Sequence, residues 1–232
     1  MREAFHRDLA TLNAELAAMG PLATIAISRA TQALLEADLV LAEAVISADA
    51  ELDERAARCA EHAFALLALQ SPVATDLRLV VAAIKIAEKL ARMGDLARHV
   101  AALARRRHPD PVLPPELACR FAVLGRLAAE ASGRVEQALS APSGENFSEQ
   151  DQADDALDGL REDILAQLLG ADPPYPIQVG VDVALLARFY ERFADQAVTT
   201  TRTLDFAVTG RQPARADHPS PANGQRPTPP AD

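Results

Sequence analysis

Long Ala- and Leu-rich runs, with apolar residues returning at helical spacing and proline cutting in at intervals, leave this chain little choice but a bundle of helices. From Glu3 to Ser47, Leu9, Leu12, Leu16 and Met19, then Ile25, Ile27, Leu34, Leu35, Leu39, Leu41 and Val45, recur near the 3.6-residue period. That spacing predicts one long helix or two collinear ones. A kink is expected at Gly20-Pro21, where proline lacks a donor and crowds the preceding turn. Asp49 is the expected N-cap of a second helix reaching about Leu69. A third starts near Pro72, since proline suits a first turn, and runs through Arg107 with Gly94 its weak point. His108-Pro109-Asp110-Pro111 and Pro114-Pro115 end it. The pattern then restarts: a helix from Glu116 to Leu139, another from a Ser148 cap to about Leu169, and a last from about Val179 to Val208, stopped by Gly210. Runs of β-branched and aromatic residues alternating at period two are missing, so no strand is expected.

The fold class predicted is all-α, two three-helix bundles in tandem, with helices of ~30 residues about 45 Å long. The first repeat spans 1–108, a linker 109–115, and the second repeat 116–210. The Pro-rich, polar tail 211–232 has almost nothing to bury and is expected to be disordered. The sequence also repeats itself. LARMGDLARHVA (90–101) lies over YERFADQAVTTT (190–201), matching Arg92 with Arg192, Asp95 with Asp195 and Ala97 with Ala197. Asp49-x-x-Leu52-Asp53 likewise resembles Asp154-x-x-Leu157-Asp158. Such self-similarity implies duplicated units.

These matched positions are the chemical candidates. Arg188, Glu191, Arg192, Asp195 and Thr199 line one face of the last helix, and Lys85, Glu88, Arg92, Asp95 and His99 form the corresponding stripe of the third. Asp49 and Asp53, like Asp154 and Asp158, are i,i+4 neighbours. If each pair packs on its stripe, carboxylates converge between helices, as in bundle metal sites with hard oxygen ligands. The competing account is a set of solvated ion pairs worth a few tenths of a kcal/mol each. No E-x-x-H pattern supports a ferritin-like site. Arg98, Arg105, Arg106, Arg107 and His108 make a basic end to the third helix, favourable against the helix dipole or a contact for an acidic partner. Tyr190 and Phe193 read as core. No Walker, GxGxxG or nucleophile-elbow motif is present.

The net charge of −10 argues against general nucleic-acid binding, which needs a basic footprint. The charged N-terminus lacks an apolar signal region, and no stretch reads as ~20 apolar residues of a membrane span, so a cytoplasmic location is expected. Cys59 and Cys119 form no CxxC or zinc spacing and are both expected to be buried as small hydrophobes.

SPVATDLRLVVAAIKIAEKLARMGDLARHVA and LLARFYERFADQAVTTTRTLDFAVTG resemble the first- and second-repeat signatures of the PhoU family, and the likeness runs through residues 3 to 210. The resemblance implies pseudo-twofold symmetry between the bundles. It implies a negative regulator of the phosphate-starvation response that couples a phosphate ABC transporter ATPase to a phosphate-sensing histidine kinase. It implies a homodimer, and divalent or iron-type metal ions held by an E/D-x-x-x-D motif in each repeat. Here that motif stands as Glu191 and Asp195 in the second repeat. In the first, Asp95 is kept but Ala91 occupies the acidic position; Glu88 lies nearly one turn away. Asp76 and Arg78 stand in the family's DLR segment, and Asp49, Asp53, Asp154 and Asp158 at its acidic positions on the second helix of each repeat. Two alternatives stay open: a metal-dependent helical enzyme with an interhelical carboxylate site, and a purely structural adaptor.

Overall fold

The first reversal of the chain comes eleven residues earlier than the sequence suggests, at Ala37-Asp38 and not at Asp49. In the computed structural model, which describes residues 2–169 and 175–213, Ala37 takes a left-handed conformation (φ 52°) and ends α1, Arg2–Glu36. Asp38 then caps α2, Leu39–Gln70, its Oδ1 accepting from the Leu41 amide at 2.9 Å. Asp49 lies inside α2. Helix α1 runs continuously through Pro21. Next come α3 (Ala74–Arg107), α4 (Pro115–Ser140), α5 (Asn146–Leu168) and α6 (Ile177–Thr209). Gly210 stops α6 as expected, with φ 72° and its amide on the Phe206 carbonyl at 2.8 Å. The start of α3 falls at Ala74, after Pro72, and α5 begins at Asn146, before Ser148. No strand occurs among the described residues. Residues 170–174 and the tail from 214 lie outside them.

Helices α1–α3 pack as one three-helix bundle and α4–α6 as a second. The bundles join along two antiparallel helix pairs, α1 with α4 and α3 with α6. On the first pair, Gly20 lies against Glu136, Thr24 Oγ1 stands 2.9 Å from Ser132 Oγ, and Gly125 abuts Thr31. On the second, the start of α3 meets the end of α6 and the reverse. The result is two repeats related by a pseudo-twofold axis.

Leu12, Met19 and Ile27 of α1, Ile86, Leu90 and Met93 of α3, Phe121 of α4, and Tyr190 and Phe193 of α6 are all fully buried. Each such side chain contributes about 1.5–3 kcal/mol of hydrophobic stabilisation. Tyr190 keeps its polar end satisfied: its hydroxyl shares a 2.8 Å hydrogen bond with Thr31, and its ring meets Phe121 edge-on at 6.0 Å. Burial raises the pKa of this phenol, and the Thr31 bond offsets only part of the effect.

Two sequence expectations fail here. Cys119 is exposed, because α4 turns Leu117, Phe121 and Leu124 inward and residue 119 faces the other way. Cys59 is buried, and its thiol is pushed up to about 12, first by burial and then by Glu15. Secondly, Phe5–Glu36 is long and apolar enough, by length and composition, to cross a membrane, with a mean hydropathy of 1.3 over its most apolar window. In the fold its Leu12, Leu16, Met19 and Ile27 pack into the shared core.

Candidate functional site

In the first repeat the packing of α2 on α3 brings Asp49 to Asp95, as the repeated stripes predict, but a third residue stands between them. Arg98 Nε donates to Asp49 Oδ2 at 2.6 Å and Arg98 Nη2 to Asp95 Oδ1 at 2.7 Å. Arg92 Nη1 donates to the other Asp95 oxygen at 3.0 Å. The Asp49 side chain is only 9% exposed. Burial therefore raises its pKa, and Arg98 reverses only part of that. Burial pulls Asp95 upward too, but hydrogen bonds from Arg98 and Arg92 outweigh it and hold this carboxyl below its ordinary value. Arg98 is in turn held protonated, chiefly by its bond to Asp95. The remaining Asp49 oxygen is buried without a partner and lies over Gly94, where an added Cβ would come within 2.9 Å of it. A side chain at this position would push the Asp49 carboxylate aside. His99 stacks 5.1 Å from Phe189 of α6; its buried Nδ1 has no partner, and burial followed by the Arg98 charge lowers its pKa. Asp53 and Glu88 are exposed; Asp53 adds to the upward pull on Asp49, and Glu88 lines the same groove as Arg92 and Asp95.

The second repeat repeats the theme with different parts. Arg161 of α5 places its Nε 3.8 Å from Asp158 and 3.8 Å from Glu191. Arg188 pairs with the other Glu191 oxygen. Asp158 has a raised pKa, from burial first, opposed by Arg161 and reinforced by Glu191 and Asp195. Asp154 and Asp195 are engaged in contacts of their own.

Between α2, α3 and α6 lies an open groove of about 630 Å³, with Ala56, Ala60 and Ala91 on α2 and α3 and with Arg92, Asp95 and Arg192 also lining it. At one end of the α3–α6 pair, Arg78 Nε donates to the Ala207 carbonyl at 3.2 Å while its Nη2 reaches Thr75. Asp76 sits in the first turn of α3, where an acidic side chain favours the helix dipole. At the other end, Asp182 of α6 is 1% exposed and accepts from both Arg106 and Arg107, at 2.8 Å from Arg106 Nη2 and 2.8 Å from Arg107 Nε. The arginines stand in the last turn of α3, favourable against the helix dipole as expected, and two of them also pair with Asp182 of the other repeat.

Sequence reasoning missed Arg98 as a bridge, Arg161 altogether, and Asp182. The first two carry a faint signal, each three residues after an aspartate that the stripes pick out. Asp182 carries only its oddity, a lone carboxylate in VGVDVALL.

The donor set does not fit the metal ions that the family resemblance implies. Among the described residues no three His, Cys, Asp or Glu side chains gather closely enough to share one ion. In each repeat a guanidinium already stands among the carboxylates, and Ala91 offers no ligand.

Residues 16–104 match the PhoU domain. Over 213 residues the chain is 46% identical to the phosphate-specific transport system accessory protein PhoU homolog 1 of Mycobacterium leprae, covering 92% of this chain and 96% of that protein. It is also 46% identical to PhoU homolog 2 of Mycobacterium tuberculosis, covering 92% of this chain and all of that one. Its fold matches crystal structures of the phosphate transport system regulatory protein PhoU from Streptococcus pneumoniae (TM-score 0.81, 23% identity, 90% of this chain and 99% of that chain) and of PhoU from Pseudomonas aeruginosa (TM-score 0.80, 23% identity, 89% and 100%).

Proposed function

The chain belongs to the PhoU family, and we propose that it is a regulatory accessory protein of a phosphate-specific transport system that works by binding, without catalysis. The observation that carries this is the 46% identity, over nearly the whole of both chains, to accessory proteins of that system. In this reading it couples the transporter's ATPase to a phosphate-sensing histidine kinase in the cytoplasm and, as a homodimer, holds the starvation response down when phosphate is plentiful. Such a role needs no reaction. It needs surfaces that bind one state of each partner better than another, so that occupancy shifts their equilibria.

Two features support a binding protein. Val73, Leu77 and Val81 at the start of α3, and Ile177, Val181 and Leu185 at the start of α6, form matching exposed apolar rows at i,i+4 spacing, one per repeat. Solvent-facing apolar surface of this kind is what partners cover. His99, the one base that an enzyme reading could use, is stacked on Phe189 beside Arg98.

The test is deletion of the gene in its host carrying a phosphate-starvation promoter fused to a reporter. Constitutive expression in phosphate-rich medium, restored to repression by the intact chain, is the expected outcome. A reporter that stays repressed, with unchanged phosphate uptake, removes the proposal.

A further inference from the structure

We propose that arginine stands in this protein where a metal-binding relative would hold an ion: Arg98 is the cation for Asp49 and Asp95 in the first repeat, and Arg161 the cation for Asp158 and Glu191 in the second. The inference rests on the geometry of the two clusters and is independent of the regulatory role.

The repeats themselves make the argument. The alignment that lays Asp49 and Asp53 on Asp154 and Asp158 lays Ala56 on Arg161, and the alignment of α3 on α6 lays Ala91 on Glu191 and Arg98 on Val198. The second repeat therefore carries an Arg161–Glu191 ion pair. In the first, both members are alanine, and both alanines line the open groove. Losing one member alone would leave a half-buried charge without its partner, which is strongly unfavourable. Losing both together is not.

The first repeat then supplies its cation from the other helix. Arg98 on α3 bridges Asp49 and Asp95, which align with Asp154 and Asp195. Arg161 on α5 lies beside Asp158 and Glu191, which align with Asp53 and Ala91. Each repeat thus places one arginine between its α2- or α5-helix aspartate and a carboxylate of α3 or α6, at non-equivalent positions. Each cluster sets arginines against its carboxylates. In the first repeat they meet by direct hydrogen bonds. In the second the carboxylates stand 3.8 Å from Arg161 Nε, a buried atom with no hydrogen-bond partner, and Asp195 also acts on Asp158. Asp49 and Asp95 are met by Arg98 and Arg92; Asp158 and Glu191 are met by Arg161 and Arg188. Guanidinium suits this position because it is permanently charged, weakly hydrated, and can donate to two carboxylates at once. Arg98 does so, at 2.6 and 2.7 Å. A divalent ion entering either cluster would compete with an arginine for its carboxylates and set a second cation beside it.

The experiment uses the purified full-length chain, incubated separately with Mn²⁺, Fe²⁺ and Zn²⁺, desalted and assayed for metal, with thermal unfolding followed with and without EDTA. Arg98→Met and Arg161→Met are treated in parallel. The native chain is expected to retain no stoichiometric metal and to show the same Tm in EDTA. Arg98→Met is expected to unfold several degrees lower in metal-free buffer and to recover part of that loss with Mn²⁺. Stoichiometric metal in the native chain that disappears with Asp95→Asn or Glu191→Gln overturns the proposal. So does an Arg98→Met variant as stable as the native chain without metal. If the arginine variants do not fold, metal titration of the native chain by calorimetry decides alone: saturable binding near one ion per repeat refutes it, and none upholds it.

Discussion

Two glycines in the same helix should respond in opposite directions to the same substitution. Intrinsic propensity favours Gly→Ala inside a helix by roughly 1 kcal/mol. At Gly133 of α4 an added Cβ meets nothing within 4 Å, so Gly133→Ala should stabilise by about 0.5–1 kcal/mol. At Gly125, two turns earlier, the same Cβ would lie 2.9 Å from Thr31 Cβ, and closer still to both atoms beyond it. Thr31 cannot swing away cheaply. It is β-branched, its hydroxyl bonds the Ile27 carbonyl at 2.8 Å and the Tyr190 hydroxyl at 2.8 Å, and Tyr190 is fully buried. Overpacking costs about 1–3 kcal/mol, and orphaning the Tyr190 hydroxyl about 1–3 more. These outweigh the propensity gain, leaving a net loss of about 2–4 kcal/mol and a fall in Tm of roughly 5–15 °C for a chain this size. Thermal unfolding by circular dichroism measures both variants. Adding Thr31→Ala to Gly125→Ala removes the clash, so the double variant should be more stable than the summed singles imply. A Gly125→Ala protein as stable as the native one, or strict additivity in the cycle, would refute the packing argument.

Asp182→Ala should lower stability by about 2–3 kcal/mol, below the ~3–5 kcal/mol expected for breaking a fully buried pair, because Arg106 and Arg107 can turn to solvent once released; a Tm within 1 °C of native (about a third of a kcal/mol) would show that the pairing is inert. For His99, burial and Arg98 depress the folded-state pKa below that of the unfolded chain. Its contribution is therefore full above the ordinary histidine value of about 6.5 and is lost as pH falls from there through the depressed folded value. Chemical unfolding across that range should give a decline that flattens in His99→Gln, and an identical slope in the two proteins would disprove the assignment.

The class of fold was legible because two signals agreed. The 3.6-residue apolar period identified helices, and Pro109, Pro111, Pro114 and Pro115 separated the repeats. The turn at Ala37-Asp38 escaped because it contains neither glycine nor proline, and because Leu35, Leu39 and Leu41 keep the helical spacing across it. Asp49 has the residue type of a helix cap, but it faces Arg98 from mid-helix. Which face of α3 carried the polar chemistry was readable, since side chains three and four apart must share it. What filled the space between the carboxylates was not. An arginine three residues from an aspartate looks alike whether it makes a solvated surface pair or reaches a second helix, and only the packing of α2 on α3, or of α5 on α6, distinguishes them. Asp182 is the extreme case, since its partners lie in the other repeat.

Those long-range partners bear on how a protein of this shape can regulate anything. If the segment between Arg107 and Pro115 were a hinge, the repeats would have to separate along both helix pairs. Tyr190 of the second repeat would leave Thr31 of the first, Phe189 would leave His99, and the ends of α3 and α6 would lose Arg78 from Ala207 and Asp182 from Arg106 and Arg107. The Asp182 contacts alone put about 2–3 kcal/mol against opening, and exposing Tyr190 adds about 1.5–3 kcal/mol. An opened form would be populated below about one part in a hundred, at roughly 1.4 kcal/mol per factor of ten. The two repeats therefore act as one rigid body, with their apolar rows at fixed positions on it. In the proposed regulatory role, a partner on one row would constrain what can sit on the other through geometry and occupancy, with no closure of one repeat on the other.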